Sequence, residues 1–374
     1  MQIAVDAAGF SGGEADQLWR AMGAKRSPAK MAALHQKFIS GCEHTCGIDA
    51  GVVEGLWAKI VAFAAYGFPE SHSQSFAALV FFSAWFKLHH PAEFCAGLLR
   101  AQPMGFYSPQ SLIADARRHG VQILPVDVNA SAVAADVPAR GQIRLGLGLV
   151  NGLGGKAAAR VVAAREDGGP FHAVADLARR AELTVAQTEA LARAGALDSL
   201  ELSRRQAIWQ AGVAATEKKG MLPGLSAINA PALPGMSAFE MMAADLAATG
   251  VTPGMQPVAL LRDRLDRAGV VPASRLLAVP DGTRIRVAGV VTHRQRPQTA
   301  SGVTFFGLED KTGLMNVMVS PGLWRAQKVL VRTAGALVVR GIVQNASGAA
   351  TVVADRLEPF APAVALGPGS RDFR

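Results

Sequence analysis

The sequence predicts a multidomain α+β protein, and three observations carry that prediction. Apolar residues recur at helical spacing through most of residues 1–283. From Arg284 the pattern switches to period two with β-branched residues. Residues 220–236, GMLPGLSAINAPALPGM, are rich in Gly and Pro, carry no charge and read as a linker. The length, 374 residues, suits two to three domains.

Residues 1–120 read as a helical domain. Leu18, Met22, Met31 to Phe38, and Val53, Leu56, Ile60 and Phe63 have helical spacing. Tyr66-Gly67-Phe68-Pro69 breaks the pattern, and a helix from about Ser73 to Leu88 follows. The longest apolar run, Phe76 to Phe86, is eleven residues, short of the ~20 a membrane helix needs. It predicts a buried helix. His90-Pro91 ends it, because a residue before proline avoids helical geometry. Further helices are expected from near Ala92 and over about Ser108 to His119.

Residues 121–140 read as an extended connector. Residues 141–219 return to short helices around glycine turns, and 220–283 combine the linker with short helical pieces. Strands are expected at Arg284–His293, Val303–Glu309, Leu314–Val319, Ala336–Gln344 and Ala350–Leu357, with a helix over Pro321 to Val331. Five strands with a helix after the third is the order of an OB-fold barrel, placed at 284–360. Residues 361–374 form a tail.

The formal charge is +9, which points to a polyanion: nucleic acid or an anionic membrane surface. It is unevenly placed. Residues 284–356 hold 10 basic and 3 acidic residues, net +7, whereas 121–200 hold 8 of each. That excess is more than solubility asks of a small barrel. The first residues, MQIAVDAAGF, do not read as a secretory signal because they have no basic n-region before an apolar stretch, and three cysteines are too few for a disulfide framework. A reducing, cytoplasmic compartment is expected.

Two segments have the chemistry of nucleic-acid contact. In the first, Gly152, Leu153, Gly154, Gly155 and Lys156 open a helix, Ala157 to Arg165. A Gly-x-Gly turn at a helix start exposes backbone N–H groups that can hold phosphate without reading bases, and Lys156 adds charge. This is the helix-hairpin-helix pattern; the alternative is an ordinary tight turn. A related shape at residues 191–198 has one glycine and reads as structural. The second segment is the barrel, with Arg284, Arg286, Arg294, Arg296, Lys311 and Arg340, alongside Arg325, Lys328 and Arg332. A charged groove with stacked aromatics suits single strands. Phe305 and Phe306 are adjacent in a strand, so they face opposite sides: one belongs in the core and the other is free to stack.

Other segments leave alternatives open. Cys42, His44 and Cys46, with His35, could ligate zinc, but buried thiols are the simpler reading. Ser71 and Ser73 suit a helix N-cap; with His72 they could instead contact a phosphate or sugar. No Asp-x-Asp or Asp-x-Glu pair occurs, and two-metal phosphoryl transfer needs clustered carboxylates. No catalytic residue and no cofactor is assigned within this chain.

Five segments in this order resemble the bacterial C-family DNA polymerases, the alpha subunit of DNA polymerase III. They are LWRAMGAKRS (18–27), YGFPESHSQSFAALVFFSAWFKLHHPAEFCAGLL (66–99), PVDVNAS (125–131), GLGLVNGLGGKAAARVVAAR (146–165) and the barrel. THRQRP (292–297), GVTFFGLEDKTG (302–313) and VVADRLEP (352–359) resemble the error-prone, ImuC-type branch. The resemblance implies that residues 1–120 are part of a fingers domain, with Arg20, Lys25, Ser71, His72 and Ser73 at nucleotide and primer–template positions. It implies a hairpin module that grips duplex DNA and a barrel near the single-stranded template. For the complete enzyme it implies Mg²⁺, dNTP substrates, damage-induced translesion synthesis and an adaptor protein linking it to the sliding clamp.

Where the sequence departs from the family, the expectations change. The histidinol-phosphatase-like domain and the palm with its catalytic aspartates have no counterpart here, and Met1 falls within a fingers helix. Trp19 replaces a common arginine, and no Gln-x-x-Leu/Met-x-Phe clamp peptide occurs around 200–235. The chain alone is therefore expected to bind DNA without polymerising. The alternatives are a stand-alone nucleic-acid-binding adaptor and a tRNA-binding OB protein; no membrane partner is expected.

Overall fold

A computed structural model describes residues 2–22, 28–66, 70–105, 107–217, 221, 230–254, 256, 258–297, 300–346, 348–360 and 371–373. The chain divides into two compact units, Met1–Ala84 and Trp85–Arg374. The architecture is α+β and multidomain, as expected.

In the first unit, helices Gln2–Asp6, Gly12–Met22, Pro28–Cys46 and Ala50–Tyr66 enclose a small core. Phe38 is fully buried, with Phe10 edge-on to it at 6.2 Å and Trp57 at 5.4 Å. A helix Glu70–His89 crosses the division between the units. Its apolar run is not buried: Phe76, Leu79, Val80, Phe81 and Phe82 are all exposed. Helix formation was legible in the run, since it is long enough and free of breakers. Burial was not, because it depends on a covering surface that hydropathy does not supply.

In the second unit one core runs from Ala92 to Val251. Helices Pro91–Arg100 and Pro109–Arg118 share it with the glycine-turn helices, so the packing has no break at residue 120. The stretch read as a connector is also built in. β1 (Gln122–Leu124) pairs in parallel with β2 (Gln142–Arg144). The PVDVNAS segment ties this pair to the hairpin helices. Asp127 Oδ1 accepts from the Asn129 amide and the Ser199 hydroxyl, Asn129 exchanges two hydrogen bonds with the Phe171 backbone, and Ser131 Oγ donates to Leu145 O.

The barrel uses β3 (Arg284–Gln295), β4 (Thr304–Glu309), β5 (Leu314–Val319), β6 (Ala336–Ala346) and β7 (Ala349–Pro359). All five lie within two residues of the expected strands. β3 is long enough to serve two neighbours, pairing with β6 through Arg284–Val290 and with β4 from Val290 onward. β5 pairs in parallel with β7, which closes the barrel. Val287, Val291, Phe306, Leu308, Val317, Val339 and Val352 fill it. β8 (Arg371–Phe373) adds to β3 in parallel.

The single helix expected after β5 is two short ones, Pro321–Ala326 and Lys328–Thr333. They part at Gln327, whose side-chain amide donates to Leu357 O and accepts from Leu357 N. The break lets one side chain satisfy a strand of the barrel wall.

Candidate nucleic-acid interface

The hairpin turn connects a 3₁₀ turn, Leu147–Leu149, to the helix Gly155–Gly168. Gly152 and Gly154 have φ of +84° and +76°, a region side chains rarely adopt. A Cβ on Gly154 would meet no atom within 4 Å, so that glycine is required by backbone shape, and the turn's outer side is open. Leu153, between them, is 2% exposed and anchors the turn in the core, and its amide is already bonded to Val150 O. It therefore leaves the expected contact set. What remains facing solvent is Gly152, Gly154, Gly155 and Lys156. Gly154 caps the helix without a side-chain acceptor, so the first-turn amides keep their donors available. Asn151 fixes the turn from behind, donating from its backbone and side-chain amides to Ala248 O and Ala247 O.

The related shape at residues 191–198 is structural. Arg204 lies across Gly195 and pairs with Asp245 at 2.8 Å, both nearly buried. Burial pushes the Asp245 carboxyl up, and Arg204 and the Thr252 hydroxyl act against that.

In the barrel, Phe306 is 1% exposed in the core, and Phe305 is half-buried on the outer face. Phe305 stands in register between Gln295 and Met318, forming one row across β3, β4 and β5. Beyond the end of β3, the exposed Arg296 guanidinium stacks on the Trp324 ring at 4.0 Å, and Lys328 Nζ lies 5.5 Å from the same ring. Sequence reading missed Trp324. Its one signal was an aromatic between Arg296 and Lys328, groups far apart in sequence until the barrel closes.

Arg294 is a correction. It is only 9% exposed, donates from Nε to Val331 O at 2.9 Å and from Nη2 to Ala334 O, and sits over the Phe306 ring. The cause is a β-bulge at Thr292, where Val291 opposes Leu308 and His293 opposes Gly307. One extra residue reverses the alternation. Arg294 then falls opposite Phe306 on the inward side and cannot line a surface groove.

Arg284 and Arg286 are exposed on β3, and Arg340 is half-buried opposite Arg286 on β6, on the half of the barrel away from the Phe305 row. Lys311 is exposed in the turn after β4, in a cleft with Arg262, Arg275 and Thr312. That turn is held by Asp310, fully buried, which accepts from Thr312, Gly313 and Ala273 amides.

In the first unit, Arg20 is exposed and pairs with Asp16 at 2.8 Å. Lys25 lies outside the described residues, as do the side chains of Ser71 and His72. Ser71 and Ser73 fall inside the helix that starts at Glu70, so neither is its N-cap. His35 stacks on Trp57 and bonds Glu54, Cys42 is buried, and Cys46 donates to Asp6 O. Among the described residues no three His, Cys, Asp or Glu side chains gather as a metal site, and no helix is long and apolar enough to cross a membrane.

A helix-hairpin-helix motif matches residues 120–207, and an OB-fold nucleic acid binding domain matches 285–360. Residues 1–46 match the bacterial DNA polymerase III alpha subunit finger domain. The whole chain aligns with error-prone DNA polymerases. It is 70% identical over 374 residues to the error-prone DNA polymerase of Corynebacterium glutamicum, covering 100% of this chain and 35% of that protein. It is 56% identical over 376 residues to that of Mycobacterium tuberculosis, covering 100% of this chain and 34% of that protein. The chain thus spans about a third of the curated relatives it matches.

Proposed function

We propose that this chain is a DNA-binding portion of a C-family DNA polymerase of the error-prone, ImuC-type branch. The hairpin turn holds duplex backbone, and the outer face of the barrel holds single-stranded template. The observation that carries this is the pairing, within one chain, of an open glycine turn at a helix start with an Arg–Trp stack and a half-buried outward-facing phenylalanine, Phe305, on the barrel. The end-to-end similarity to error-prone polymerases supports the polymerase context.

The complete enzyme would carry out template-directed nucleotidyl transfer with Mg²⁺ and dNTPs, extend primers past damage, and reach the sliding clamp through an adaptor. The assigned residues position DNA, and no step of bond formation is placed on them. Arg20, Lys25, Ser71, His72 and Ser73 belong to this reading as nucleotide and primer–template contacts. The expected location is cytoplasmic.

The test is fluorescence anisotropy with a 20-residue oligothymidine and a 20-base-pair duplex. Trp324→Ala should weaken single-strand binding by about 1–3 kcal/mol per lost base stack and leave duplex binding unchanged. Gly154→Val should weaken duplex binding at least fivefold and leave single-strand binding unchanged. Equal losses on both DNAs from either variant would show that the two sites do not divide the work.

A further inference from the structure

The stacking face leaves one charged feature of the barrel unused. Arg286 on β3 stands directly opposite Arg340 on β6, and Arg340 stands directly opposite Arg356 on β7. Opposed residues of antiparallel strands share a face. The three arginines therefore form one row across three neighbouring strands, about 10 Å long at the usual strand spacing of ~4.8 Å. Arg284, two residues before Arg286, extends the same face. Arg284, Arg286 and Arg356 are exposed and Arg340 is half-buried; the side chains of Arg284, Arg356 and Arg340 are 62%, 60% and 41% accessible.

Like charges set directly opposite one another destabilise a sheet. Two carboxylates moderate the repulsion. Asp355 accepts from Arg284 Nε at 3.1 Å and Arg340 Nε at 2.7 Å, and Glu358 accepts from Arg356 Nε at 3.0 Å. Asp355 owes its position to a register shift between Arg340 and Gly341, which leaves it as the extra residue of β7. Four cations still face two anions. The next rows offer no apolar anchor: Ala288, Ala336 and Phe360 are already covered by Leu265 and Val258.

We propose that this row is a second DNA contact, a track for phosphodiester backbone on the β3–β6–β7 half of the barrel. It is distinct from the stacking face around Phe305 and Trp324. It holds no ring to stack on a base, so it takes the strand by charge alone and without base preference. A line of guanidinium groups fits a line of phosphates. An acidic peptide would also meet charge here but would find no pocket to fix a side chain. The proposal rests on the reading of the barrel as a single-strand binder, and it adds that a longer strand continues from the stacking face onto the row.

The experiment uses the whole chain with oligothymidines of 8 and 30 residues, titrated in salt. The double variant Arg286→Gln/Arg356→Gln leaves both Asp355 ion pairs in place. For the 30-residue strand, the slope of log K against log salt should fall by about 1.4, that is ~0.7 for each lost phosphate contact. Affinity for the 8-residue strand should stay within about twofold. Circular dichroism and the thermal midpoint check the fold, and the midpoint should hold or rise as repulsion is relieved. If the double variant does not fold, Arg286→Gln alone should lower the slope by about 0.7.

An unchanged slope while the native protein binds the long strand overturns the track and leaves the single-strand reading standing. Equal losses on both lengths overturn it by placing these arginines in the primary face. Polyglutamate that displaces less DNA from the variant than from the native protein, with the DNA slope unchanged, assigns the row to an acidic protein instead. A native protein that binds neither strand overturns the single-strand reading, and the track with it.

Discussion

The hairpin module and the barrel approach a polyanion from opposite directions. Residues 121–200 carry 8 basic and 8 acidic side chains, whereas residues 284–356 carry 10 and 3. Much of the module's basic charge is spent on its own backbone. Arg160 donates to Ala181 O and Glu182 O, Arg165 to Val128 O and Ser131 O, and Arg180 to Ala164 O and Gly169 O. What it offers outward is a turn of peptide N–H groups and Lys156. The barrel offers guanidinium groups, set beside Trp324 on one side and in a row on the other. Counting charge therefore finds one candidate interface and overlooks the other.

The comparison breaks most sharply at Arg294, where the barrel uses an arginine in the module's manner. Arg294→Met should cost about 2–3 kcal/mol, because it strips the donors from two carbonyls at the end of helix Lys328–Thr333. Arg296→Ala, two residues on, should leave stability within ~0.5 kcal/mol, as for an exposed side chain. Urea denaturation of both variants separates the cation that holds the barrel from the one that meets solvent. Equal stabilities would mean that burial does not distinguish them.

That pair also marks what the sequence could show. Strand positions were legible because buried apolar residues recur at every second position, as in Met315, Val317 and Val319 or Leu337 and Val339, within runs rich in β-branched residues. The parity of β3 beyond Val291 was not legible, because one bulged residue at Thr292 reverses it and leaves the composition unchanged. The glycine turn was legible from Gly152 and Gly154, whose backbone few other residues tolerate. The arginine row and the Arg296–Trp324 stack were not, since register and barrel closure bring together residues from distant strands. PVDVNAS carried its resemblance openly, but its task of tying β1 to the hairpin helices emerged only from its hydrogen bonds.

A smaller effect sharpens the comparison from the module's side. Peptide N–H groups bind phosphate without the counterion release that fixed cations bring. Duplex binding should therefore fall less steeply with salt than single-strand binding by the same protein. Lys156→Ala should lower the duplex slope by about 0.9, the value of one phosphate contact, and leave the oligothymidine slope unchanged. Salt titrations between about 50 and 200 mM measure both. A duplex slope as steep as the single-strand slope would mean that side-chain charge carries both sites.

The smallest expected effect is a pH dependence confined to the barrel. The His293 ring lies against Gly307 of β4, and one of its nitrogens is 3.1 Å from Thr292 Oγ1. Burial lowers its pKa below the ordinary value of 6.5, so the folded barrel holds it neutral. The unfolded chain then binds the proton more readily. Its contribution to stability is complete above about pH 6.5 and declines as pH falls from there toward the folded pKa. The barrel's thermal midpoint should drop between about pH 7.5 and 5.5, before most carboxylates titrate. His293→Gln should flatten that window. The module's helices, which bury no such histidine among the described residues, should keep their midpoint across it. A drop that persists in His293→Gln would assign the dependence to another group.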